Sequence, residues 1–397
     1  MRPEGGAEVK LRCQLLQSGT MSADIPKQDI PKQDLPKDHL PKIEDATRDY
    51  EQWMGSHISV VKSDLGLKHT SMNESAFAFL RATFYRWMQL WKTRCPELAG
   101  APSVLAVGDL HVENFGKWRD SEGRLIWGIN DFDDAYPLAY TQDLVRLTTS
   151  ARLAAHAGDL VLNPGEASEA IYAGYTDALK AGGQPFVLEA EHNGLREMAL
   201  GELRDPVRFW EKMQALPAWT GDVPTPARAA LEQQLPERGL KYVLKHRVAG
   251  LGSLGRQRIA AVAEWRGGTI ARETKALLPS ACAWAESPAS SPRIWCGEII
   301  ERAMRVPDPF THAADGWVVR RLAPDCSRIE LASIPKEKDA ARLLHAMGWE
   351  TANVHLGSKQ AIGAVEQDLK KRPAGWLHNA ARDMEDAITQ DWKDWKR

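Results

Sequence analysis

Between residues 241 and 334 the chain changes its hydrophobic period, and that change bounds the fold more tightly than any other feature. Before it, Phe77, Leu80, Phe84, Trp87, Met88 and Trp91 recur at helical spacing and predict a helix over residues 75–94. Within it, residues 241–248, 256–265 and 269–276 read as strands, the last two joined by a turn at Arg266, Gly267 and Gly268. Two further strands, 316–322 and 327–334, flank a turn at Pro324 and Asp325, and a helix is expected over 294–305. Helices return at 336–355 and 375–392. Strands gathered in one block and helices on either side of it imply an α+β fold with a mostly antiparallel sheet.

The helical stretch ahead of that block carries two short apolar strands, 103–107 and 125–129, and then helices over 140–157 and 164–181. Residues 182–240 alternate short helices with Pro and Gly breaks and are expected to shape an acceptor pocket. The units expected are therefore 46–240, 241–335 and 336–397. Residues 1–45 stand apart, because DIPKQ, DIPKQ, DLPKD and HLPK set Pro26, Pro31, Pro36 and Pro41 in phase. Proline at every fifth place removes donors and fixes φ, so a disordered, extended leader outside the fold is expected.

Composition narrows the function classes. The chain is 43% apolar and 26% charged with a net charge of −2, which gives no footing for nucleic acid or an anionic membrane. Five cysteines without a CxxC pair or a Cys/His cluster fit reduced thiols in a cytoplasm rather than a disulfide framework or a zinc site. No secretory leader and no membrane-spanning run is read.

The chemistry gathers in two loops. Asp109, His111 and Asn114 follow the strand 103–107, and Asp131, Asp133 and Asp134 follow the strand 125–129. Neighbouring strands ending together would bring four carboxylates and an amide oxygen to one rim. Such a set repels itself unless a cation intervenes, and hard oxygen ligands suit Mg²⁺. Any one of these acids alone is better read as a turn or cap residue. The spacing of Asp109 to Asn114, followed by Asp131-Phe132, is that of a phosphoryl-transfer base, a metal-binding amide and a metal-binding Asp-aromatic pair.

These segments, GDLHVENFG and INDFDDA, resemble the paired motifs of aminoglycoside phosphotransferases and choline kinases. The resemblance implies Asp109 as the catalytic base, Asn114 and Asp131 as Mg²⁺ ligands with Asp133 beside them, and His111 as a support of the loop. It also implies that Asp143 braces that loop. Val107 departs from the pattern, standing where a histidine is usual. Downstream, Gly250, Gly252 and Gly255, with Ser253 among them, lie between two strands, and Lys275 follows in the strand after the next turn. Strands on both sides fit a kinase Gly-rich loop over ATP phosphates better than a dinucleotide site. Lys275 would then hold the phosphates, with Glu298 or Glu301 as its ion-pair partner. A kinase places these parts before the catalytic Asp. The resemblance thus implies a two-lobed protein-kinase-like fold that is circularly permuted, with new termini opened before the catalytic loop.

Stretches spread over residues 70–360 (SAFAFLRAT, GDLHVENFG, INDFDDAYP with QDLVRL, VAGLGSLG and WVVRRL) are also similar to an uncharacterised bacterial family, domain of unknown function 2252. The function expected is Mg²⁺- and ATP-dependent transfer of the γ-phosphate to a hydroxyl or amine of a small molecule or protein. The alternatives are a nucleotide-binding pseudokinase scaffold and, further off, a metallophosphoesterase, whose additional histidine-rich ligand loops are not found here.

Overall fold

Local signals set several helix limits in the computed structural model, which describes residues 40–189, 195–197, 205–287, 293–326 and 337–397. The first elements are α1 (Ile43–His57), α2 (Lys62–Met72), α3 (Ala76–Ala82), α4 (Phe84–Arg94) and α5 (Pro96–Ala99). Helix α1 takes in residues 43–45, which the repeat reading assigned to the leader; the rest of the leader up to residue 39 lies outside the described residues. The helix expected over 75–94 is two helices. Ser75 caps the first through its Oγ, and Thr83 leaves helical φ/ψ between them, its Oγ1 donating back to the Phe79 carbonyl at 2.7 Å.

Strand β1 (Ser103–Ala106) pairs antiparallel with β4 (Tyr136–Ala139). Strands β2 (Phe115–Arg119) and β3 (Leu125–Ile129), which lie between them in the chain, form a second small sheet with β5 (Phe186–Val187). Helix α6 (Tyr140–His156) is buried along nearly its whole length. Helix α7 (Pro164–Ala181) starts at an Asn163 cap with Pro164 at its first position and stops at Gly182 in the left-handed region.

After α8 (Pro206–Ala215) and α9 (Thr225–Gln233) comes the antiparallel sheet, in the order β6 (Val243–His246), β7 (Arg258–Trp265), β8 (Gly268–Ala276), β10 (Trp317–Leu322), β9 (His312–Ala314). The short α10 (Ala281–Glu286) and α11 (Cys296–Arg302) intervene between β8 and β9. The strand expected over 327–334 lies outside the described residues. The sheet is covered on both faces: Phe209 and Met213 of α8 pack on Ala260, Val262 and Ala271, and Leu231 of α9 packs on Ile259, Ala261 and Val319. The fold is α+β, as the segregated pattern implied. Among the described residues no helix is long and apolar enough to cross a membrane.

Helices α12 (Glu337–His355), α13 (Ile362–Lys371) and α14 (Trp376–Trp395) return to the first helices. Arg86 of α4 meets Asp391 of α14 through Nε at 2.6 Å and Nη2 at 3.1 Å, both side chains largely buried. Helices α7 and α12 touch backbone to backbone. A Cβ on Gly174 would run into the His345 carbonyl, and one on Gly348 into the Ile171 carbonyl. Gly to Ala in a helix interior ordinarily stabilises by up to about 1 kcal/mol. Here Gly348→Ala should instead destabilise by roughly 1–3 kcal/mol, because a carbonyl in a packed helix cannot yield. Urea unfolding of the two proteins measures this, and an unchanged midpoint would show that the helices part easily.

Candidate functional site

The loop after β1 is shaped by what it closes against. Gly108 adopts φ +82°, and a Cβ there would strike the Asp134 carbonyl, so the two acidic loops meet at this glycine. Asp143 of α6 grips the loop by its backbone, accepting from Val107 N at 2.7 Å and Gly108 N at 3.0 Å. His355 of α12 lies 3.1 Å from Asp143 Oδ2 and 2.9 Å from the Tyr175 hydroxyl, so the C-terminal helices hold the brace in turn. The imidazole of His111 accepts from Glu113 N and caps the 3₁₀ turn Val112–Asn114. Asn114 donates from Nδ2 to the Asp109 carbonyl at 2.6 Å. That bond leaves Oδ1 as the oxygen a metal could take.

Asp109 is held by Arg146 of α6, whose Nε lies 3.0 Å from Oδ1 and whose Nη2 meets the same oxygen. Arg146 is fully buried, between Phe84 and Trp87. Both guanidinium bonds fall on Oδ1 and leave Oδ2 to the cleft side of Gly252. Burial raises the Asp109 carboxyl to about 7 against the pull of Arg146, with Asp134 and Asp131 adding to the rise.

The other carboxylates receive their cations from Lys275 of β8 and from Arg256, in the loop just ahead of β7. Lys275 Nζ lies 3.3 Å from Asp131 Oδ1 and pairs with Asp133. Arg256 reaches Asp133 at 3.2 Å and Asp134 at 3.6 Å. Burial pushes the Asp131 carboxyl up, but Lys275 and then Arg320 outweigh it and hold it well below the carboxylate range. Burial and the Asp131 charge raise Asp133. The Gly-rich loop closes the same cleft. A Cβ on Gly252 would sit 2.8 Å from the Arg81 carbonyl and 3.2 Å from Asp109 Oδ2, and Gly250 and Gly255 have φ of +74° and +95°. Asp109, Asn114, Asp131, Gly250, Gly252 and Ser253 all line this cleft.

The structure therefore brings together most of the residues singled out in the sequence, and sets two apart. Glu298 pairs with Arg293 and Arg302, and neither Glu298 nor Glu301 is the partner of Lys275. The cause is proximity: Glu298 finds Arg302 one turn on in its own helix and Arg293 just ahead of that helix, and Lys275 finds Asp131 and Asp133 directly beneath it. Arg146, Arg256 and His355 escaped the sequence reading, since each is defined by a partner far along the chain.

Whether Mg²⁺ fits is a question of donors. Among the described residues, no three acid, His or Cys side chains stand ready around one point, because Lys275 and Arg256 lie among them. The donor set nonetheless suits a hard cation: the carboxylates of Asp131 and Asp133 and the Asn114 amide oxygen, with Asp133 Oδ1 buried and without a hydrogen-bond partner.

Glu350 of α12 supports the second loop, accepting from Ile129 N at 3.3 Å and from Asn353 Nδ2 at 2.8 Å. Burial raises its carboxyl from 4.5 to about 7, with Asn353 and Arg305 pulling the other way. From about pH 4.5 to 7 the folded chain keeps a proton that the unfolded chain gives up, so this contribution to stability is present in acid and lost as pH rises through 7. Glu350→Gln removes the titration. Relative to wild type, the variant should gain on the order of 2 kcal/mol between pH 5 and pH 8, whatever constant cost the amide carries. Denaturant midpoints at the two pH values test this, and parallel pH dependences would contradict it.

Residues 61–199 match the model of a family described as an uncharacterized protein conserved in bacteria (DUF2252). The match spans both acidic loops, Asp143 and Arg146, and stops short of the Gly-rich loop and Lys275. No curated protein and no solved structure matches the chain. Over this stretch the chain is similar to that bacterial family, whose description assigns no activity.

Proposed function

We propose that the protein is a Mg²⁺- and ATP-dependent phosphotransferase, passing a phosphorus group to a hydroxyl or amine of a small molecule or protein. The observation that carries this reading is the meeting of two half-sites. Over a hundred residues downstream, the glycine loop lines one cleft with Asp109, Asn114 and Asp131, and Lys275 meets Asp131 and Asp133 beneath it. Base and metal-type ligands on one side and phosphate-type ligands on the other are the parts that phosphoryl transfer requires. The order of these parts along the chain, with α12 packed against α7 and close to β1, is the reason for reading the fold as a permuted kinase-like arrangement.

In this reading the Asp109 carboxylate accepts the proton of the attacking hydroxyl at Oδ2, while Arg146 fixes Oδ1 and so the direction of attack. Asp131, Asp133 and Asn114 would hold Mg²⁺, which supplies charge neutralisation to the phosphates when bound. The glycine loop 250–255 would cover the phosphates, and Lys275 would turn from Asp131 and Asp133 toward them. A nucleotide-binding scaffold without catalysis is the second reading. It is favoured by one feature, that Lys275 and Arg256 already neutralise the carboxylates a metal would need.

Asp109→Asn keeps an oxygen for Arg146 and removes the base. It should lower kcat by about 10²–10⁴-fold and change ATP affinity by less than about threefold. In wild type the rate should rise with pH through about 7 as Asp109 ionises, and that limb should vanish in the variant. Asp131→Asn should abolish the Mg²⁺-dependent part of ATP stabilisation and lower the apo Tm, since the charge removed is one that Lys275 and Arg320 hold. Calorimetry and a transfer assay on the three proteins test these points. A wild type that binds Mg·ATP yet transfers to no acceptor and no water would leave the scaffold reading standing.

A further inference from the structure

The face of the sheet turned toward the acidic loops has an unexpected chemistry. Its register places Arg258 beside Lys275 and Arg320 beside Glu273, and all four project to that side. Glu273 is buried between Arg247 and Arg258, the latter at 2.6 Å. Arg258 also donates to Ser253 Oγ at 2.7 Å, tying the set to the Gly-rich loop. Arg305 lies close by, its guanidinium 4.7 Å from the Trp118 ring and 5.0 Å from the ring of Phe132, the residue between Asp131 and Asp133. Among the described residues, three buried guanidinium nitrogens in this group, Arg320 Nε and Arg305 Nε and Nη1, have no acceptor.

A purine ring needs apolar ground on which to lie. Kinase-type sites provide it with Val-Ala-Ile ahead of the lysine, where this chain has Arg272-Glu273-Thr274. The apolar part of the same face (Ala260, Val262, Ala271 and Leu322) is already covered by Phe209 and Met213 of α8. What remains between α8 and the carboxylates is a ring of guanidinium groups, which suits phosphate.

We propose that this ring seats the terminal phosphates of a nucleoside triphosphate, so that the nucleotide lies phosphates-inward with its base toward the cleft mouth. The inference rests on the phosphotransferase reading and names its transferred group. With the β- and γ-phosphates under Arg258 and Arg320, the phosphorus presented to Asp109 is that of the α-phosphate. The acceptor oxygen forms a bond to Pα and the Pα–O–Pβ bond breaks. The hydroxyl proton passes to Asp109 Oδ2, and pyrophosphate leaves. The product is a nucleotidylated acceptor.

The test uses the full chain with inorganic triphosphate, ATP and adenosine as calorimetric probes, and ATP labelled separately at the α- and γ-phosphates. Triphosphate should bind within about tenfold of ATP, and adenosine should not bind measurably. Arg320→Gln, or Arg247→Gln should the first fold poorly, should weaken triphosphate and ATP by at least tenfold. Lys241→Gln, an exposed charge in the same region, should change neither. Label from the α-phosphate should move to acceptor protein or water, with release of pyrophosphate. Absence of triphosphate binding, or affinity indifferent to both arginine variants, overturns the seat. Transfer of the γ-label with ADP as product overturns the orientation and keeps the phosphotransferase. Arginine-dependent triphosphate binding with no label moved from either position upholds the seat, and the phosphotransferase reading falls instead.

Discussion

Four carboxylates, Asp109, Asp131, Asp133 and Asp134, share one cleft, and the arrangement of the protein around them follows from how they are neutralised. A charge taken from water costs several kcal/mol unless it is paired and hydrogen-bonded. Arg146 comes to Asp109 from the buried helix α6, Lys275 comes to the others from β8, and Arg256 from the loop just ahead of β7. Apolar packing holds the sheet on the helical body but fixes its position only loosely. The ion pairs fix it to within a hydrogen bond, because a shift of one residue along β8 would turn Lys275 away from the carboxylates.

How much of this could be read from the chain depends on the range of the signal. Asp109, Asn114 and Asp131 were legible because their spacing is local, and the glycine loop because Gly250, Gly252 and Gly255 fall between two alternating segments. Strand β3 and helix α7 were legible from a continuous apolar run in one case and from Asn163, Pro164 and Gly182 in the other. Strand β2 was not, since Gly116 and Lys117 interrupt the alternation, although Trp118 is buried. Helix α6 is buried on every side, so its pattern gives no stripe and nothing marks Arg146 as different from a surface arginine. Arg256, Arg320 and His355 are in the same position, their roles set by contacts that cross well over a hundred residues. The expected pairing of Lys275 with Glu298 or Glu301 failed for the complementary reason. A helix following the lysine strand was visible, but the arginines that claim Glu298 were not weighed.

The C-terminal helices are part of the site rather than an appendage to it. His355 fixes Asp143, which fixes the backbone of Val107 and Gly108, and Ser358 accepts from Leu105 N in β1 at 2.8 Å. Arg86 with Asp391 and Arg152 with Glu385 pin α14 to α4 and α6 through buried bonds of 2.6 Å. Breaking one partner of such a pair leaves a buried charge alone, at a cost of about 3–5 kcal/mol. The acidic loops in the stretch that matches the bacterial family thus owe their geometry to residues some two hundred positions downstream. Neither the early helices nor the late ones present a finished surface to the loops without the other.

A cleft that is neutralised by its own cations binds ligands by exchange, and this has a consequence for the proposed function. A metal ion entering alone would compete with Lys275 for Asp131 and Asp133 and would leave that buried ammonium without its partners, while Arg256 would keep only Asp134 of its two carboxylates. A polyphosphate entering alone would draw the cations away and leave the carboxylates unpaired. Either half-step incurs the desolvation cost of an unmatched charge in a medium where charges interact strongly. When metal and phosphate enter together, each takes over the partner that the other displaces, and every buried charge stays matched. In the proposed function, cooperative uptake of Mg²⁺ and phosphate would therefore need no moving domain. It follows from placing an ammonium and guanidinium groups of the sheet against a carboxylate rim in a site that is largely closed to water.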